Sequence, residues 1–194
     1  MEVTSKRKGP RLSVIRMTRI AVFAALLCVA APWSIPIGPI PLSLATFVVY
    51  LTGALLGLVD GTIAVAVYLL LGAVGVPVFS GFTGGIQKLL GVTGGYLVGY
   101  LPCVAIVGAA ADHTKKHRWL VAVAMVAGTA LLYALGTVWF MLQSGRTLAE
   151  SMSLCVLPFL PGDAAKIAVA SALSIPLRAA MEKLLTRRSL PPSE

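Results

Sequence analysis

Asp163 and Lys166 are the residues whose types and spacing offer chemistry most directly. They lie three apart in the segment PGDAAK, so on a helix they share one face. The residues that follow are apolar enough to enter a membrane. An acid or amine deep in a span costs roughly 2.5–3.5 kcal/mol on insertion scales, so such groups face a cavity or a partner. Together the two supply one acceptor and one donor, which suits a small ligand carrying N–H groups and a carboxylate. A structural reading stands beside this one. Asp163 follows Pro161-Gly162 and can cap the start of a helix, while Lys166 snorkels outward or pairs with Asp163.

The second chemically suggestive stretch is FSGFTGGIQKLLGVTGGYLVG, residues 79–99. It holds seven glycines together with Phe79, Phe82, Lys88, Thr93 and Tyr96. Irregular backbone near a membrane persists only where protein or a water-filled cavity surrounds it. The stretch reads either as one wall of a small-molecule pocket or as a flexible interfacial connection. Other chemistries find less support. His113 and His117 stand four apart in DHTKKHR, but with no third ligand beside them a metal site is not expected. Cys28, Cys103 and Cys155 lack CxxC spacing and read as packing residues. There is no GxxxxGK[ST] phosphate loop, no HExxH and no nucleophile–base set, so neither an ATPase nor another enzyme is expected.

The elements that must position these residues are membrane helices. Of 194 residues, 58% are hydrophobic and only 12% charged, against about a quarter charged in a soluble domain. The fold class expected is an all-α integral membrane protein, a bundle of six transmembrane helices. Spans are predicted at about 20–35, 42–59, 62–78, 94–111, 119–142 and 163–181. A basic tail occupies 1–18, one membrane domain 19–182, and a second tail 183–194. The first apolar segment lacks a signal-peptidase site and reads as a retained span. Ala21 and Ala25 put small residues on one face of it. Prolines 32, 36, 39 and 41 make the next connection extended, apolar and suited to cover something. Gly53, Gly57 and Gly61 predict a close helix crossing, with a turn at Asp60-Gly61. Leu148, Met152 and Val156 predict a short amphipathic helix within 143–157, lying at the interface.

The net charge of +9 does not signal nucleic acid. Thirteen of the sixteen Lys and Arg fall before the first span, in the 115–118 connection or at the C-terminal end. Only Lys88 and Arg146 fall in the opposite connections. That asymmetry predicts cytoplasmic N- and C-termini and anionic lipid as the partner of the basic clusters. It places the proline loop, the glycine-rich loop and Asp163 together on the outer side.

PIGPIPLS after the first span, GVPVFSGFTGG, GVTGGYLVGY and PGDAAK occur in this order. Together they resemble the BioY family, the biotin-specific substrate-binding S components of energy-coupling factor transporters. The resemblance covers nearly all of the chain between its basic tails. It implies capture of biotin from outside a bacterial cell membrane. It also implies docking onto a transmembrane coupling protein and two ABC-type ATPases, with Ala21 and Ala25 on the docking face. Asp163 would accept from the ureido N–H groups, Lys166 would meet polar or anionic ligand atoms, and Lys88 would serve the carboxylate end. Thr93, Gly94, Gly95 and Tyr96 belong to the glycine-rich signature. Phe79 and Phe82 would pack on the bicyclic ring or valeryl chain. No cofactor is implied. Two departures touch the pocket: Val92 stands where the family usually has proline, and Ala45 where it commonly has glutamine. An S component for another vitamin, or a structural membrane subunit without a ligand, are the competing readings.

Overall fold

The computed structural model describes residues 14–36, 39–114 and 119–189. Of the expected basic tails, 1–13 and 190–194 lie outside the described residues. So does 115–118, with His117. The order is α1 (Val14–Ala30), β1 (Ser34–Pro36), β2 (Pro41–Ser43), α2 (Ala45–Ala73), α3 (Ile86–Leu90), α4 (Gly94–His113), α5 (Trp119–Ser144), α6 (Leu148–Cys155) and α7 (Leu160–Ser189). Four of these, α2, α4, α5 and the 160–181 part of α7, are long and apolar enough to cross a membrane. The protein is mostly helical but not wholly so. The proline-rich connection pairs with itself as an antiparallel hairpin, Ile35 opposite Leu42 and Pro36 opposite Pro41.

Helix α2 covers two expected spans in one element, and Gly57 resolves the difference. It breaks the helical geometry with φ +81° and ψ −172°. In a continuous helix, residues eight apart are separated by about 12 Å. Yet a Cβ on Gly61 would lie 3.4 Å from the Gly53 Cα and 3.3 Å from the Thr52 carbonyl oxygen. The chain therefore doubles back at Gly57, and the two arms pack against each other through their glycines. The turn falls at Gly57, not at Asp60-Gly61 as expected. Asp60 is instead engaged by Arg16, whose Nε donates to its Oδ1 at 2.5 Å. Asp112, at the end of α4, accepts from the Leu58 N–H at 2.9 Å and so caps the returning arm.

Arms and neighbours enclose a main apolar core with Tyr50, Tyr68, Phe79, Leu27, Met125 and Leu132, all essentially fully buried, and a smaller cluster of Ile20, Leu55, Leu56 and Ala64 lies beside it. Helix α4 runs between α2 and α5, α1 lies on α2, and α7 packs chiefly against α2 and α5. The end of the bundle holding the Gly57 turn is rich in arginine contacts. Arg19 donates to the Leu55 carbonyl at 3.1 Å and Arg178 to that of Ala111 at 2.8 Å. The hairpin, α3, α6 and the start of α7 gather at the other end.

Helix α6 spans Leu148–Cys155, within the expected 143–157, and Val156 follows as its C-cap. The Thr147 hydroxyl accepts from the Glu150 N–H while the Glu150 carboxylate accepts from the Thr147 N–H, a complete capping box. Its Leu148 and Met152 face away from the bundle, and Ser151 and Cys155 face into it. Helix α7 continues past the expected end at Met181 to Ser189.

Candidate functional site

Three elements, α2, α5 and α7, converge on Asp163, which is 4% exposed. It sits in the first turn of α7, its N–H donating to the Phe159 carbonyl at 2.8 Å. Its carboxylate is met from three directions. Lys166 Nζ donates to Oδ1 at 2.9 Å, the Thr46 hydroxyl to Oδ1 at 3.2 Å, and the Tyr133 hydroxyl to Oδ2 at 2.6 Å. Lys166 also donates to the Ser43 carbonyl at 2.7 Å and to Thr46 Oγ1 at 3.0 Å. An ammonium has three N–H donors, so Lys166 is fully engaged. Burial of a charge is tolerated when it is paired and hydrogen-bonded, and both charges here meet that condition.

A cavity of about 40 Å³ opens against this network. Ile40, Pro41, Leu42 and Ser43 of the hairpin roof it, with Tyr96, Tyr100, Tyr133 and Phe159 as walls. A neighbouring cavity of about 30 Å³ shares Ile40, Pro41, Tyr96 and Tyr100 and continues to Phe79, Lys88 and Thr93. The pair forms a two-ended site, with the acid and amine of α7 at one end and Lys88 of α3 at the other. Each cavity has room for a few waters but not for a ligand of vitamin size.

The residues expected from the sequence divide into three groups. Asp163, Lys166, Lys88, Thr93, Tyr96 and Phe79 line the cavities. Tyr96 is held there by its hydroxyl, within 3.2 Å of Thr137 Oγ1 and 3.3 Å of the Cys155 carbonyl. Gly94 and Gly95 line neither cavity. A Cβ on Gly94 would overlap the Leu89 carbonyl, and one on Gly95 would overlap the Trp139 side chain. They are the reason α4 can start so close to α3 and α5. Phe82 also lines neither cavity. It is 59% exposed and meets Trp33 edge to face, with centroids 5.8 Å apart. Gly81 N–H donates to the Pro32 carbonyl at 2.9 Å alongside, so these contacts join the proline-rich and glycine-rich connections.

Ser43, Thr46, Tyr100 and Tyr133 were not singled out in the sequence. Tyr100 and Tyr133 offered one signal, a phenol inside an otherwise apolar span. Burial pushes the Cys155 thiol at the cavity wall above its ordinary range, in keeping with a packing role. On α1, Ala24 and Leu27 are buried against the bundle, whereas Ala21 and Ala25 face outward. Among the described residues no cluster of His, Cys, Asp and Glu could hold a metal ion.

A bundle of apolar helices closing a small polar-ended chamber under these two connections defines a membrane-embedded binding protein for a small molecule. The solved structures include one of the same fold. A crystal structure of the S-component for biotin from an ECF-type ABC transporter superposes with a TM-score of 0.80 and 28% identity, over 89% of this chain and 95% of that one. The chain belongs to the BioY family, whose model matches residues 4–183. It is 39% identical to the biotin transporter BioY of Thermotoga maritima over 84% of this chain and 95% of that protein. It is 38% identical to the probable biotin transporter BioY of Pyrococcus horikoshii over 78% and 88%.

Proposed function

We propose that this chain is the biotin-binding S component of an energy-coupling factor uptake transporter in a bacterial plasma membrane. The observation that carries the reading is the two-ended chamber, found in a chain of this family. At one end, a desolvated carboxylate is aimed by three donors. At the other, Lys88 waits for an anion. Biotin has a matching order of groups, a cyclic urea, an apolar thioether ring and chain, and a terminal carboxylate. Asp163 accepts from the urea, Phe79, Tyr96 and Tyr100 pack on the apolar middle, and Lys88 with Thr93 meets the carboxylate. To contact the ligand, Lys166 gives up its Thr46 contact. That is the cheapest of its three to release, because the Thr46 hydroxyl keeps Asp163 as a partner.

The chain crosses the membrane six times in this reading, as α1, the two arms of α2, α4, α5 and α7, with both termini cytoplasmic. The fold-back at Gly57 and the distribution of Lys and Arg support it. The site then faces outward, and α6 lies in the headgroup region on its exposed Leu148 and Met152. The outward face of Ala21 and Ala25 docks on a transmembrane coupling protein, itself driven by two ABC-type ATPases. The chain is a binding subunit, not an enzyme, and needs no cofactor.

The test is equilibrium binding of labelled biotin to the purified full chain, with unlabelled biotin, riboflavin and thiamin as competitors. Displacement by biotin alone is expected. No binding, or equal displacement by another vitamin, overturns the assignment.

A further inference from the structure

A carboxylate offers about four acceptor positions. At Asp163, Oδ1 accepts from Lys166 and Thr46, and Oδ2 accepts from Tyr133. One position remains, on Oδ2. Bulk water does not compete for it, since the residue is 4% exposed. Tyr133 has a second notable placement. A wider, apolar groove of about 440 Å³ runs between α5 and α7, lined by Val126, Ala130, Ala164 and Ile167. Tyr133 and Asp163 are the two residues that line both this groove and the cavity beneath the hairpin. The Tyr133 ring therefore stands between the ligand chamber and the groove, with its hydroxyl on the carboxylate.

We propose that Tyr133 is a specificity-determining positioning residue, whose hydrogen bond to Oδ2 leaves Asp163 one acceptor position and so admits a single N–H donor from the ligand. This rests on the biotin-binding reading and narrows it. The two N–H groups of a cyclic urea diverge, and only one of them meets Asp163. Ligands that need both carboxylate oxygens at once, such as a guanidinium or amidinium, are refused because Oδ1 is already filled.

The proposal is tested with biotin and its two cyclic carbamate analogues, in each of which one ureido N–H is replaced by oxygen. The replacement removes a donor without adding bulk. Against the wild-type chain, one isomer should bind within about threefold of biotin and the other should be weakened about tenfold or more, the loss of one charged hydrogen bond. Tyr133→Phe keeps the ring as a wall but no longer pins Oδ2, so the carboxylate can turn to meet either N–H and the gap between the isomers should shrink at least about threefold. A merely structural role for Tyr133 would weaken all three ligands together and leave that gap unchanged. Equal losses for both isomers on the wild-type chain overturn the proposal without any variant. An undiminished gap in Tyr133→Phe overturns it as well. If the wild-type chain fails to bind biotin itself, the underlying reading fails, and this outcome is distinct from the other two.

Discussion

Lys166 of α7 donates to the main-chain carbonyl of Ser43 at 2.7 Å, joining the last long helix to the end of the hairpin that roofs the chamber. The same ammonium holds Asp163, so the roof, the start of α2 and the buried carboxylate share one charge. Removing one partner of a buried ion pair is costlier than removing both, because a lone charge is left in an apolar setting. Lys166→Met should therefore destabilise the protein by about 3–5 kcal/mol. The double variant Asp163→Ala/Lys166→Met should recover part of that loss. Thermal unfolding in detergent reads both, and a double variant less stable than Lys166→Met would contradict the pairing.

The proline-rich and glycine-rich connections are joined by the Trp33–Phe82 edge contact and the Gly81–Pro32 hydrogen bond. Such an aromatic pair contributes about 0.5–1.5 kcal/mol beyond its buried area. On the proposed reading, with the chamber closing over biotin, Phe82→Ala should speed biotin dissociation about two- to tenfold. Trp33→Ala should do the same, and the double variant should add little to either. Stopped-flow dissociation measures this. Unchanged rates in both single variants would remove the contact from the gate.

The fold-back at Gly57 depends on a backbone that only glycine adopts readily. A side chain there would sit at φ +81° and overlap the Asp112 carboxylate. Gly57→Ala should cost about 1–3 kcal/mol and lower the Tm in detergent. An unaltered Tm would mean that the two arms of α2 do not need this turn.

The sequence revealed the ends of this arrangement better than its middle. PGDAAK carried Asp163 and Lys166 because charges inside an apolar run are expensive and therefore conspicuous. Thr46 and Tyr133 reach the same carboxylate from 117 and 30 residues away, and no local spacing encodes contacts of that length. Four prolines indicated an extended loop but not that it would pair with itself, since pairing depends on the facing strand. Asp-Gly at 60–61 is a strong turn signal in isolation. The turn falls instead at Gly57, whose φ of +81° glycine adopts readily, while Arg16 of α1 pairs with Asp60. The capping box Thr147-x-x-Glu150 was readable and would have placed the start of α6 correctly. Phe82 follows Phe79 by three residues, but its backbone, at φ +56°, goes with a side chain turned toward Trp33.

The outward Ala21/Ala25 face should matter for uptake and not for binding. Ala24 and Leu27 already supply the contacts of α1 to its own bundle. Ala21→Leu/Ala25→Leu should leave biotin affinity within about twofold while abolishing close helix approach by a partner. Uptake in cells that also express a coupling module should fall sharply. Unchanged uptake would place the docking surface elsewhere.

The most direct measurement is a biotin titration of the purified wild-type chain beside Asp163→Ala. The wild type should bind one equivalent. The variant, if folded by its thermal unfolding profile, should bind about ten- to a hundredfold more weakly, as the loss of a charged and desolvated hydrogen bond requires. A folded Asp163→Ala protein that binds biotin as tightly as the wild type would contradict the account.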